Sequence, residues 1–377
     1  LFPVGAALGV FGVLLWPLHV WGVWEVYPGV AHARIMIQGF LTAFVVGFLG
    51  TALPRLLDVP RITLGETLGF AVAIVGTAVL QAAGLEFWGN QLFLVTLCAL
   101  LFLLGVRSVV RKDTPPPGFV LVLLGLAGAI AGTCILVLGH AAPAVVPLPV
   151  GVFGRLLLNQ GFLLLPVMGI GAFLLPRFFG LPNRQSFPES LALPPGWLRR
   201  AGFAAACGLA VLASFALEAR GATRPAFGLR ALAVAGYFAR EVPFFRSGFG
   251  GGTLALGLRV ALLAFPVGYG LMAVWPGRAS SLLHVVFLTG FSLITLVVAS
   301  RVILGHSGQS EKFRARLGPV LAMIGLIVLA MATRVSADWL PAIRMTHYAY
   351  AALVWIAGVV VWGAAILPGV RRPDAGE

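Results

Sequence analysis

"VAHARIMIQGFLTAFVVGFLGTALPRLL", residues 30–57, is almost wholly apolar, yet it opens on His32 and Arg34 with Met36 and Gln38 close behind. A run of about 20 apolar residues crosses a bilayer as one helix. Hydrocarbon is a poor solvent for ionisable groups, so one near the end of such a span marks either a functional site or an interface anchor. For His32 the choice depends on whether another span offers it a partner.

The rest of the chain resembles this stretch in composition. Of 377 residues, 60% are hydrophobic and 10% charged, with a mean hydropathy of +1.01. A soluble domain carries about 25% charged residues, so the class is membrane protein. Apolar windows give twelve spans, near 1–24, 29–54, 64–84, 88–107, 118–139, 148–176, 199–217, 222–239, 252–275, 280–304, 316–334 and 340–367. The eighth is the weakest, because Pro225, Arg230 and Arg240 interrupt it. Connecting loops are short and rich in Pro and Gly, including the Gly-rich run at 247–253. The expected fold is therefore all-α: a polytopic bundle of twelve transmembrane helices, with residues 1–377 forming one domain. The chain opens on Leu1 without a methionine, so the natural N-terminus is expected to be missing or trimmed.

A net charge of +14 points to membrane orientation here and not to nucleic acid, because the basic residues sit in loops between spans. Eighteen of the 26 Lys and Arg residues follow even-numbered spans, which predicts that both termini face the cytoplasm. Five of the six histidines (His19, His32, His140, His284 and His347) then fall toward the outer face, and only His306 toward the inner. Imidazoles gathered at one depth are candidate metal or haem ligands. His19, among Trp16, Trp21 and Trp24, reads as an interface residue. Cys98, Cys134 and Cys207 form no CxxC pattern and are expected to be small core residues.

The quoted span also echoes within the chain. Gln38-Gly39-Phe40 precedes Pro54 by the same 16 positions that separate Gln160-Gly161-Phe162 from Pro176, and a weaker third copy, Thr289-Gly290-Phe291, stands likewise before Gly305 in Leu304-Gly305-His306. These are spans two, six and ten. Either three four-helix repeats (1–110, 118–240 and 252–367) or convergent small-residue packing accounts for the pattern.

Twelve spans in three sets of four, with His32 opening span two and His284 opening span ten, resemble the heme-copper oxidase subunit I superfamily. That resemblance implies one haem b clamped between His32 and His284. A closer likeness is to the NnrS family, whose members are linked to haem, copper and the nitric oxide response. Here the family's first block reads HARIMIQGF and then GTALPRLL. Its second reads LLHVVFLTGFSLITLVVASRVILGHSGQ, with Arg301, Leu304, Gly305, His306, Ser307 and Gly308 in place. The two blocks cover about one sixth of the chain. Departures are informative. Arg34 stands where the family pattern has a second histidine, and Gln309 where it ends in arginine. Spans six and seven hold no histidine, and Leu282 occupies the position of the oxidases' high-spin ligand. The oxidase copper centre is therefore not expected.

The resemblance implies electron transfer or a nitric oxide response at the periplasmic side of a bacterial inner membrane. A cytochrome c or quinol would be the electron partner, and other respiratory subunits are candidate neighbours. Met36, one turn from His32, is expected against the macrocycle. Arg334 and Arg344 are candidate propionate partners or snorkelling interface residues. His140 and His347 are candidate copper or replacement haem ligands. His306 with Arg301 is a candidate for a second metal, an anionic headgroup or a quinone, or else a helix cap. Two rival classes remain: a secondary transporter, against which Glu66, Glu86, Glu218 and Asp338 sit near loops, and a cofactor-free anchor subunit.

Overall fold

The computed structural model describes residues 1–248 and 251–371, so part of the Gly-rich run at 247–253 lies outside the described residues. Helix accounts for the architecture throughout, with no strand among the described residues. In lipid every backbone N–H and C=O must be satisfied within the segment, and a helix does this unaided. Twelve helical rods follow one another: α1 (Phe2–Val20), α2 (Gly29–Leu57), α3 (Leu64–Ala82), α4 (Glu86–Val109), α5 (Phe119–Ala141), α6 (Leu148–Phe179), α7 (Trp197–Ala219), α8 (Thr223–Glu241), α9 (Gly252–Val274), α10 (Pro276–His306), α11 (Gly318–Trp339) and α12 (Pro341–Arg371). Eleven are long and apolar enough to cross a membrane. The exception is α8, the span that the sequence marks as the weakest. It carries Arg224, Arg230, Arg240 and Glu241 within 19 residues, and its buried Arg230 is neutralised by Glu218 of α7.

Burial separates three rods from the others. The apolar windows of α2, α6 and α10 are 72%, 78% and 67% buried, against 28–56% for the remaining spans. These three are central helices, and the others pack around them, with α1 against α12, α12 against α11, α8 between α7 and α9, and α3 against α4. Close approach needs small residues at the crossings. A Cβ on Gly118 would stand 2.5 Å from the carbonyl oxygen of Gly169, so α5 and α6 meet backbone to backbone.

The same three central helices share a local irregularity. Each opens into a π-helical stretch: Ile35–Leu41 in α2, Leu157–Gly161 in α6 and Val285–Ser292 in α10. Gln38, Gln160 and Thr289, the residues that echo in sequence, all lie inside these stretches. A π-turn pairs i with i+5 and leaves carbonyls poorly matched, so hydroxyls step in. Thr42 donates to the Ile37 carbonyl at 2.7 Å, and Thr289 donates to that of Val285. Such segments are frequent at functional sites.

The three cysteines are free. Cys98 and Cys134 are exposed on the outside of the bundle and Cys207 is half-buried, so the first two are not core residues as the sequence suggested. Their apolar neighbours face outward to lipid, which an apolar run cannot distinguish from a protein core.

Candidate functional site

The π-helical stretches of α2, α6 and α10 converge on one cavity of about 570 Å³, completed by α1, α11 and α12. That volume falls inside the roughly 300–1,000 Å³ of small-molecule and cofactor sites. His32 reaches it from α2 and His284 from α10, two spans separated by about 250 residues that meet on this one cavity. Each imidazole is fixed through Nδ1: His32 to the carbonyl of Gly12 at 2.9 Å, His284 to that of Ser280 at 3.0 Å. A carbonyl oxygen only accepts, so in both rings Nδ1 carries the proton and donates. The lone pair is left on Nε2, as in metal-binding histidines whose other nitrogen is held by the backbone. Trp16 stands edge-on to His32 with centroids 5.9 Å apart, which limits the ring's rotation.

Met36 also lines the cavity, as its position one turn beyond His32 suggested. Arg334 enters from α11, its guanidinium 3.8 Å from the centroid of Tyr348. Its Nη1 is buried without a hydrogen-bond partner. Asn159 presents an unpartnered Oδ1 on the α6 wall. Arg155 adds a further cation there, and Phe40, Trp355 and Phe287 supply apolar surface. Across the cavity floor Gln160 Oε1 accepts from Arg230 at 2.9 Å and from Tyr269 at 3.1 Å. Arg230 in turn binds Glu218 at 2.6 Å. Glu218 therefore lines the cavity instead of idling at a loop end, and it is tied to a buried cation.

Other residues singled out in the sequence lie elsewhere. Arg344 is half-exposed beside Asp338, at 3.8 Å, and does not reach the cavity wall. Its link is indirect, because Tyr348 donates to the same carboxylate at 3.0 Å. His347 is half-buried, with Nδ1 3.2 Å from the Ile343 carbonyl. His140 faces Glu86 at 3.5 Å and its own helix at Leu136. Arg34 is buried off the cavity wall, its Nη1 unpartnered, where the charges of Glu86 and Arg155 act on it. His306 lies at the far end of α10. There Gln309 N–H donates to Leu304 at 2.8 Å and Gly308 takes φ +71°, the arrangement of a Schellman cap. Among the described residues no three His, Cys, Asp or Glu side chains gather as a metal would require.

Tyr348 and Asn159 escaped the sequence reading, and Trp16 entered it only as a neighbour of His19. Each lies on a wall that only the folded bundle assembles. Gln160 was visible through its echo of Gln38, and Arg155 only as one basic residue on the outer side.

The chain matches the family described as "NnrS protein" over residues 1–373. It belongs to the NnrS family. No curated protein matches it. The match spans nearly the whole chain, so it takes in the residues that line the cavity and both histidines, not only the two blocks legible by eye.

Proposed function

We propose that this NnrS-family membrane protein holds one haem b between His32 and His284 and serves electron transfer or the nitric oxide response at the outer face. The observation that carries the reading is the pair of imidazoles on one cavity, each with Nδ1 held by a backbone carbonyl and Nε2 left to ligate. The cavity fits the group on other counts. Its volume suits a cofactor, its walls are largely apolar and aromatic, and the unpartnered Nη1 of Arg334 is the donor an anionic propionate needs. When bound by two neutral imidazoles, haem supplies one-electron chemistry with a closed iron. The protein's part is to fix both rings in one tautomer, exclude water with Trp16, Phe40 and Trp355, and offset negative charge with Arg334. Met36 is in place to pack on the macrocycle, while Arg344 acts only through Asp338 and Tyr348.

A copper site has weaker support. His140 and Glu86 form a two-residue pair, and among the described residues no three His, Cys, Asp or Glu side chains gather.

The excess of basic residues after even-numbered spans supports an orientation with both termini in the cytoplasm of a bacterial cell. The cavity then opens toward the periplasm, where a cytochrome c or quinol, or a neighbouring respiratory subunit, would exchange electrons. The coincidence of π-helical stretches on α2, α6 and α10 supports three four-helix repeats at 1–110, 118–240 and 252–367.

The test is a visible spectrum of the purified protein, oxidised and dithionite-reduced. Sharp, split bands of six-coordinate haem b are expected, and His32→Ala or His284→Ala should abolish them or convert them to a high-spin form. A colourless, folded protein from haem-replete cells would end the proposal.

A further inference from the structure

A second feature lies at the opposite end of the bundle and owes nothing to the haem reading. Below the histidine cavity, α2, α6 and α10 enclose a crevice of about 110 Å³ whose walls are almost entirely apolar, among them Phe44, Ile170, Leu174, Val298 and Ala299. Its floor leads directly to cations. Arg301 follows Val298 by three residues on α10, and Arg177 follows Leu174 by three on α6. Three residues keep both members of a pair on one helix face, about 4.5 Å apart along an α-helix and about 6 Å apart in the 3-10 turn that carries Arg177.

Arg301 is gripped between two rings, its guanidinium carbon 4.4 Å from the Phe178 centroid and 4.3 Å from that of Phe313. Arg177 lies over Phe173 at 4.8 Å. Arg314 reaches in beside Gly180, and the charges of both Arg177 and Arg314 act on Arg301. Among the described residues none of these three guanidiniums forms an ion pair with a carboxylate. Two rings packed against Arg301 do not take up its N–H donors, which point outward along the edge of the guanidinium. Planar, in-line donors suit a phosphate oxygen pair. The helix cap at Gly308 accounts for His306 but leaves Arg301 unused.

We infer that this end of the bundle binds one anionic phospholipid, with the phosphate on Arg301, Arg177 and Arg314 and a short stretch of one acyl chain in the apolar crevice above them. Each half of the ligand is called for by a different observation. A free phosphate would leave the apolar walls without contacts, and such walls do not hold water. A zwitterionic lipid would bring its own cation against three arginines.

The experiment uses the full chain in detergent, stripped of lipid and examined by native mass spectrometry with three probes: phosphatidylglycerol, phosphatidylcholine of the same chains, and inorganic phosphate. One phosphatidylglycerol per chain should be retained, at least tenfold more strongly than phosphatidylcholine. Arg301→Gln should lose that preference tenfold or more. Arg177→Gln, at an exposed position, should weaken it in the same direction and serves if the first variant folds poorly. Ala299→Trp should fill the crevice and reduce lipid retention with the arginines intact, and unfolding temperatures in lipid-free detergent control for damage to the fold. Equal retention of the two lipids, or arginine variants that keep the wild-type preference, would overturn the inference. Phosphate bound as tightly as the lipid, with Ala299→Trp indifferent, would overturn it in favour of a free oxyanion site.

Discussion

Truncating Arg230 to alanine should cripple the fold, and repairing its partner should rescue it. The Arg230 side chain is completely buried in α8. It donates to Glu218 at 2.6 Å, to Ser214 at 2.9 Å and to Gln160 at 2.9 Å, with its guanidinium 4.4 Å from the Phe215 ring centroid. Alanine removes the cation and leaves the Glu218 carboxylate, only 18% exposed, with no positive partner on the cavity wall. Breaking a buried pair from one side costs about 3–5 kcal/mol, a loss of roughly two to four powers of ten in the folded-to-unfolded ratio. Removing both charges is different. In Arg230→Met with Glu218→Leu, Ser214 keeps its bond to Val211 at 2.6 Å and Gln160 keeps Tyr269 at 3.1 Å. The double variant should therefore lie within about 1 kcal/mol of wild type, because apolar replacement of a buried pair is often neutral. A denaturant titration followed by the fluorescence of the nine tryptophans reads both. A double variant as unstable as the single one would refute the reasoning, as would a single variant that loses less than about 1 kcal/mol.

Three further outcomes are expected. Carbon monoxide should leave the reduced spectrum of wild type almost unchanged, whereas His32→Gly or His284→Gly should admit it wherever haem is retained. One equivalent bound by wild type would shift the proposed function toward gas chemistry. Gly118→Val should destabilise the bundle by about 1–3 kcal/mol or more, since the new Cβ would lie 2.5 Å from the rigid Gly169 carbonyl; an unchanged melting temperature would contradict the α5–α6 contact. A reporter in the 142–147 loop should be active only on the periplasmic side, and cytoplasmic activity would reverse the proposed orientation.

Span positions were legible because an apolar run announces itself locally, and the helix ends agree with the windows to within a few residues at most boundaries. His32 and His284 were legible because polar residues stand out in such runs. The polar wall of the cavity was not. Arg230 reads in sequence as an interruption of a weak span, and only the fold brings Glu218, Gln160 and Ser214 to meet it from α7 and α6. Arg334 and Arg344 look alike as outer-side cations ten residues apart. Folding turns the first inward over Tyr348 and leaves the second on the surface with Asp338. Arg34 and His32, two positions apart on one helix, end on different sides of it, and so only one of them lines the cavity.

The π-helical stretch that begins just after His32 makes the histidine's direction a question of counting residues. A π-turn carries one residue more than an α-turn, so it acts as an angular offset between the two ends of α2. Wound as regular α-helix with no change in length, the stretch between Ile35 and Leu41 would lack that offset. The two ends would then turn by about 100° relative to each other, with the inner end, packed against α1, α3 and α4, staying where it is. His32 would swing off the cavity with its side chain chemically untouched. The same offset recurs just after His284, so the facing of the two imidazoles depends on matched phase in two helices, and the length of these stretches is as much a part of the site as the histidines themselves.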